Sequence, residues 1–337
     1  MSKKICIFSH KGGVSKTTTS YNLGWMLTEL GKKVLLVDSD SQCNLTNTVF
    51  GDEAYEQFYS DKPECNLKNY LSPAFDAKPA LIDGAELIPV KNNQSLFIIP
   101  GSFEISEYEV SLGVSFTLSE TLMSLKNLPG SFNYLIEKTA EAHSADYVII
   151  DMNPSLSAIN QTLFVSSDYF IVPAAPDIFS ATAIRSLSRT LPKWEKWAKK
   201  ARTAFSDASY PLPTNTPKFI GTVIQKFNIR NGHPIKASQA LIDGINDLVT
   251  STFVPNMRES GMLLADDEYD FDNYCLAQIP DFQTLNAAYQ SNGIPVYALT
   301  DRQLGHTGAV LDNYKQMRQK FYAIFSDFGK KVIELTS

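Results

Sequence analysis

Short apolar runs separated by longer stretches of helical spacing set the rhythm of the chain. Residues 4–8, 34–37, 96–99, 147–150, 169–172 and 219–224 form near-continuous apolar runs, Tyr147-Val148-Ile149-Ile150 being typical. A strand apolar on both faces must be covered on both faces. Runs of this kind with helices between them therefore predict an α/β fold: a mostly parallel, twisted sheet with helices on both sides. Two stretches interrupt the alternation. Residues 50–94 are rich in Pro, Asn, Asp and Tyr, and residues 192–217 hold a cationic segment with Trp194 and Trp197, then Pro211, Pro213 and Pro217. They read as insertions on one domain spanning 1–337, since no repeat, low-complexity tract or long linker divides the chain.

Composition narrows the class. With 44% hydrophobic and 20% charged residues, the 337-residue chain reads as an ordinary globular protein with enough length for a sizeable core. No window approaches the ~18 apolar residues of a membrane span, and the N-terminus runs directly into a strand, so a cytoplasmic location is expected. Cys6, Cys43, Cys65 and Cys275 are scattered without a C-x-x-C pair or a His at metal-ligand spacing, which points to reduced thiols. A net charge of −6 excludes a surface that coats nucleic acid everywhere; DNA binding would need a local cationic patch.

The first strand leads into His10-Lys11-Gly12-Gly13-Val14-Ser15-Lys16-Thr17-Thr18 and then a helical stretch. Strand, glycine loop and helix start form a polyphosphate cradle: backbone N–H groups from Gly12 to Thr18 point inward and the helix N-terminus adds partial positive charge. Lys16 would lie along the β- and γ-phosphates of ATP, and the Thr17 hydroxyl would sit where a P-loop Ser or Thr ligates Mg²⁺. His10 and Ser15 occupy the two glycine positions of the strict pattern G-x-x-x-x-G-K-[ST]. Acidic groups are then needed at the C-terminal ends of neighbouring strands. Asp38-Ser39-Asp40-Ser41-Gln42-Cys43-Asn44 follows the second strand, and Asp151-Met152-Asn153-Pro154-Ser155 follows Ile149-Ile150. An Asp closing a strand is often only a turn or cap residue. Three such positions in order after a phosphate loop point to chemistry instead.

The loop resembles the deviant Walker form K-G-G-x-x-K-T-T, and the acidic segments resemble D-x-D-x-Q-x-N and D-x-x-P-S, of the superfamily that holds ParA, MinD and the nitrogenase iron protein. Within that superfamily the chain resembles the ParA/Soj partition ATPases. It implies Mg-dependent ATP hydrolysis with Lys11, Lys16 and Asp40 catalytic, Asp40 orienting the water. Asp38 would lie near the Mg²⁺ shell, and Asp151 would hold the ion through a water. Lys11 would reach across a nucleotide-sandwich homodimer formed with ATP. The segments at Gly221-Thr222-Val223-Ile224-Gln225 and Ile279-Pro280-Asp281 resemble the family's adenine region, which would place the base near Gln225, Pro280 and Asp281. Arg230 aligns with an arginine implicated in non-specific DNA binding. A ParB-like or other adaptor would stimulate hydrolysis, no membrane partner is expected, and the protein would be nucleoid-associated.

Other readings remain open. Residues 193–202 are either a DNA-contacting helix or a helix with its tryptophans tucked inward and its lysines in water. Arg230 is either a DNA contact or a plain surface residue. The acidic run at 266–272 would face away from nucleic acid. The last helix, with Phe321, Phe325, Phe328 and Val332 in register, is either a MinD-like membrane tail or core packing. A metabolic ligase of the dethiobiotin synthetase type shares the fold and is the alternative from another class. A redox role is disfavoured because no cysteine follows Asp151 at a cluster-ligand position.

Overall fold

The structure, a computed structural model, describes residues 2–118, 123–230 and 233–337. Its strands are β1 Lys3–Ile7, β2 Val34–Asp38, β3 Ile88–Val90, β4 Asn93–Ile99, β5 Tyr147–Asp151, β6 Tyr169–Ala174, β7 Lys218–Gln225, β8 Ile229–Arg230, β9 His233–Pro234 and β10 Cys275–Ile279. Eight of them form one sheet in the order β10-β7-β6-β1-β5-β2-β4-β3, while β8 and β9 pair separately. Every neighbour pair in the large sheet is parallel except β3 with β4. The expected mostly parallel sheet with helices on both faces is what forms. The six apolar runs all became strands; β3 and β10, at the two edges, are additions that the hydrophobic pattern did not mark.

The helices needed below are α1 Lys16–Glu29, α2 Asn44–Phe50, α3 Asp52–Asp61, α4 Leu67–Phe75, α5 Tyr108–Leu118, α6 Leu128–Ala142, α7 Ala158–Val165, α8 Ile178–Ala204, α9 Lys236–Leu248, α10 Val254–Glu259, α11 Leu285–Asn292, α12 Asp301–Leu304 and α13 Gly308–Leu335. Alternation along the central strands divides the core into two layers. Ile5 and Ile7 of β1 with Val34 and Leu36 of β2 join the layer under α1 and α13. Cys6, Leu35 and Val37 face the opposite way, into the layer that contains α6, α7 and α8. Each strand thus buries both faces, which is why it reads as a continuous apolar run rather than an alternating one.

Trp194 stacks with Phe8 at 5.6 Å between ring centroids and meets Phe164 edge-on, and Trp197 lies 4.3 Å from the Phe116 ring. Both tryptophans therefore turn into the protein. Residues 192–204 continue α8 without a break, Pro192 included. Phe321, Phe325, Phe328 and Val332 of α13 are buried against the sheet side that holds β10 and α1, so the apolar stripe of this helix is used in the core. Among the described residues no helix is long and apolar enough to cross a membrane.

Sheet order decides where chemistry can occur. The chain leaves β1 for α1 and β2, but β5 lies between β1 and β2, and β6 lies on the other side of β1. The crevice at the carboxyl ends of β1, β5 and β2 is thereby lined by three loops that are neighbours in space, the place where open α/β sheets bind ligands.

Candidate functional site

At the head of α1, Ser15 serves as N-cap with φ 60° and ψ 37°, a left-handed conformation that its side chain accepts at a modest cost. Gly13 lies at φ +75°, and a Cβ at Gly12 or Gly13 would meet nothing within 4 Å, so the loop arches over open space. No acidic side chain occupies the first turn of α1, which leaves the helix N-terminus free to attract an anion. Lys16 is buried, and burial pulls its pKa below the usual lysine range against the opposing pull of Asp151 and Asp40. His10 Nδ1, at the start of the loop, is buried and has no hydrogen-bond partner among the described residues; burial, then Lys16, lowers the imidazole's pKa.

Asp151 closes β5 in register with Ile7 of β1 on one side and Asp38 of β2 on the other. Its carboxylate accepts the Thr17 hydroxyl at 2.7 Å and the Ser20 hydroxyl at 2.9 Å. Burial raises its pKa to about 6, with the Thr17 hydrogen bond and Lys16 acting in the opposite direction. Asp38 is fully buried: burial and then the nearby Asp151 charge raise it to about 7. One of its oxygens accepts both the Thr46 N–H at 2.8 Å and the Thr46 hydroxyl at 2.6 Å.

The loop after β2 is pinned to β5 because Ser39 donates its N–H and hydroxyl to the Asp151 carbonyl at 3.0 and 2.7 Å. That places Asp40 beside the phosphate loop. Its Oδ1 accepts the Gln42 N–H at 3.0 Å, and no hydrogen bond to Oδ2 occurs among the described residues. Carboxylates from two segments far apart in sequence, Asp38 and Asp40 after β2 and Asp151 at the end of β5, thus gather near the head of α1. The Lys11 carbonyl accepts the Lys16 ammonium at 3.4 Å, and the Lys11 side chain forms an ion pair with Asp177, the N-cap of α8.

From the phosphate loop a cleft of about 550 Å³ extends to the end of β7 and the turn after β10, lined by Ser15, Thr18, Gln225, Asp281 and Phe282 among others. Gln225 donates to the Ser15 carbonyl at 3.3 Å and to the Thr19 hydroxyl, so its amide braces the head of α1. Pro280 sits in the turn between β10 and Asp281, which the Phe227 carbonyl holds at 3.1 Å through the Asp281 N–H. Arg230 lies apart from this cleft, exposed in the β8–β9 pair opposite His233 and without an ion pair among the described residues.

These donors fit a magnesium nucleotide. The orphaned His10 nitrogen, the open arch over Gly12 and Gly13 and the uncompensated helix start suit phosphate oxygens. Thr17 and Asp151 supply the hard oxygen donors that Mg²⁺ takes together with phosphate and water.

The family described as AAA_31, an AAA domain, matches residues 2–203. The chain belongs to this family. Within it the chain is of the ParA/Soj type: it is 29% identical over 191 residues to the sporulation initiation inhibitor protein Soj of Bacillus subtilis strain 168. That alignment covers 57% of this chain and 65% of Soj, so the chain spans just under two thirds of that relative's length. Two solved structures share the fold. Apo McdA of Cyanothece superposes with a TM-score of 0.61 at 18% identity, covering 95% of this chain and 99% of that one. A pNOB8 ParA bound to nonspecific DNA superposes at 0.60, also at 18% identity, covering 100% and 99%.

Sequence reasoning named the loop and its carboxylates but gave no role to Ser20, Thr46 or Asp177. Ser20 and Thr46 are ordinary hydroxyl residues whose partners lie 131 and 8 positions away, and nothing local marks them. For Asp177 a signal existed: Asp directly ahead of an amphipathic run is a helix N-cap pattern.

Proposed function

We propose that this AAA_31 protein is a Mg-ATP-dependent hydrolase that works as a ParA-type switch. ATP closes two copies into a nucleotide-sandwich dimer, the dimer binds DNA without sequence preference, and an adaptor of the ParB kind accelerates hydrolysis and resets the cycle. The observation that carries the reading is the convergence of Lys16, Thr17 and Asp151 at one helix start, with Asp40 beside them. Phosphoryl transfer demands little covalent chemistry of a protein. It needs charge and position, and this arrangement supplies both.

In this reading Lys16 and the N–H groups of residues 12–18 bind the phosphates. Bound Mg²⁺ would neutralise developing charge, held by Thr17 and, through water, by Asp151, with Asp38 bracing that shell. Asp40 Oδ2 orients the attacking water. Gln225, Pro280 and Asp281 border the adenine, at the far end of the same cleft. Lys11 leaves Asp177 and turns to the partner's phosphates. DNA contact is supported by the likeness to a ParA bound to nonspecific DNA, with Arg230 as one contact.

Light scattering after size exclusion tests the switch. The wild-type chain should double in mass with Mg-ATP, and Lys11→Ala should remain at its starting mass while still binding nucleotide. A wild-type mass that is the same with and without ATP would remove the dimerisation step and leave nucleotide binding standing.

A further inference from the structure

Helix α8 is strongly divided by charge. Ala183, Ile184, Leu187, Leu191, Trp194, Ala198 and Ala201 are buried against the core. Opposite them Arg185, Arg189, Lys193, Lys196, Lys199 and Lys200 are all exposed. At 100° per residue these six cations fall within an arc of about 120° centred on the outward side of the helix. They run along about 22 Å of helix at 1.5 Å per residue. None of the six takes part in an ion pair among the described residues, although the chain as a whole carries a net charge of −6. The helix's one acidic residue, Glu195, is buried and bound by Arg202 at 2.8 Å. Glu259 of α10 borders the groove beside Lys196 and Lys199 and pairs with neither.

A solvated helix face normally mixes both signs of charge. Six cations of one sign, none paired with a carboxylate among the described residues, form instead a local positive stripe on an acidic protein, which is what phosphate recognition requires. The choice between polyanions follows from the other side of the helix. A membrane-surface helix needs an apolar face for the acyl region, and the apolar face of α8 is occupied by the core, Trp194 included. A rigid rod of charge suits a rigid double helix.

We propose that the outward face of α8, from Arg185 to Lys200, is the principal DNA-binding surface of this protein, contacting the phosphate backbone of duplex DNA. The inference rests on the DNA-binding reading given above and relocates its main contact. Arg230 contributes a single charge, whereas α8 contributes six. Because the contacts are to phosphates, binding is independent of sequence and steeply dependent on salt. The helix that carries the stripe is capped by Asp177, the residue that holds Lys11, so the start of this helix touches the phosphate loop.

The test is fluorescence anisotropy of an arbitrary 30-base-pair duplex with the full chain and Mg-ATP, titrated over sodium chloride. The wild type, Arg230→Ala and the triple variant Lys193→Gln, Lys196→Gln, Lys200→Gln are compared, with a mantADP titration and thermal melt as folding controls. The triple variant should bind nucleotide normally, lose about ten- to a hundred-fold in DNA affinity at moderate salt and reduce the log–log salt slope by about 2 to 3; Arg230→Ala should reduce it by at most about 1. Should the triple variant fail to fold, Arg185→Gln with Arg189→Gln gives a milder change on the same face and should reduce the slope by about 2. Wild-type binding with an unchanged slope in the folded α8 variant overturns this surface and leaves DNA binding intact. No binding by the wild type removes the DNA reading and this surface together. Binding to vesicles containing anionic lipid, with none to duplex, assigns the stripe to a bilayer and overturns the proposal.

Discussion

Lys11 forms an ion pair with Asp177 while the same carboxylate caps α8 by accepting the Ser180 N–H at 2.8 Å. Against the upward push of burial, the hydrogen bond from Lys11 and the capping N–H groups hold Asp177 below the usual carboxylate range. The lysine that the proposed dimer needs is therefore held within its own chain, and closing the dimer must break this pair. Asp177→Asn keeps a capping oxygen and removes the charge. Its expected effect is dimerisation at several-fold lower ATP concentration than the wild type, followed by light scattering across an ATP series. Coincident wild-type and variant curves would show that the pair does not restrain Lys11.

Two buried carboxylates one strand apart impose a pH dependence on the nucleotide-free protein. Burial and then the neighbouring charge raise Asp38 to about 7, and burial raises Asp151 to about 6. A carboxyl group whose pKa is raised on folding is protonated in the folded chain over a range where the unfolded chain has already lost its proton. Between about pH 4 and 7 the folded state binds more protons, so stability falls as pH rises through that window and levels off above it. Asp38→Asn removes the titrating group. It should raise the melting temperature at pH 8, by a stability gain on the order of 1–3 kcal/mol, and make little difference near pH 4. Thermal unfolding of both proteins at the two pH values measures this, and equal melting temperatures at pH 8 would refute it.

Much of this candidate site is legible in the sequence. Strand apolarity located β1, β2 and β5, and the chemistry of the loop named Lys16, Thr17 and Asp151, because each of these signals is local in sequence. What escaped was non-local. The edge strand β10 carries Gln278 among its apolar residues, which breaks the continuous apolar run that marks the central strands. The family resemblance assigns Lys11 to a partner's site, and its contact in its own chain depends on α8 starting beside β6. The cationic face of α8 was half visible: residues 193–202 stood out, whereas Arg185 and Arg189 join them only once the helix is known to run unbroken through Pro192.

The stretch at 50–94, which interrupted the sequence pattern, reaches the site through hydrogen bonds. Tyr59 of α3 donates to the Gly101 carbonyl at 2.9 Å, and the Gly101 N–H donates to the Thr46 hydroxyl at 2.9 Å, the hydroxyl that binds Asp38. A Cβ at Gly101 would stand 3.0 Å from Cys43 Sγ and 3.1 Å from the Asp38 carboxyl carbon, so this approach requires glycine. Gly101→Ala should therefore displace the Asp38–Asp40 loop and lower kcat for ATP hydrolysis by about ten-fold or more. Tyr59→Phe keeps the aromatic cluster with Tyr55 and Phe103 and should lower kcat only a few-fold with KM for ATP unchanged. Steady-state kinetics separate these outcomes, and a change confined to KM would show that the relay supports binding rather than the reacting geometry.

Asp40 offers the sharpest division between binding and hydrolysis. One of its oxygens is committed to the Gln42 N–H at 3.0 Å, and the other has no hydrogen-bond partner among the described residues. Thr17 and Asp151, by contrast, are bound to each other and would be displaced or shared when magnesium arrives. Asp40→Ala should accordingly leave nucleotide and magnesium affinity within about two-fold while lowering kcat by about 10²- to 10⁴-fold, the usual loss when a positioned base is removed. The ATP-loaded dimer would then persist, and its lifetime can be followed by light scattering after excess ATP is removed. Thr17→Ala should do the reverse, weakening magnesium-dependent nucleotide binding first. If Asp40→Ala instead hydrolyses ATP at the wild-type rate, the water must be oriented by another group, and the free oxygen of Asp40 has no part in the chemistry.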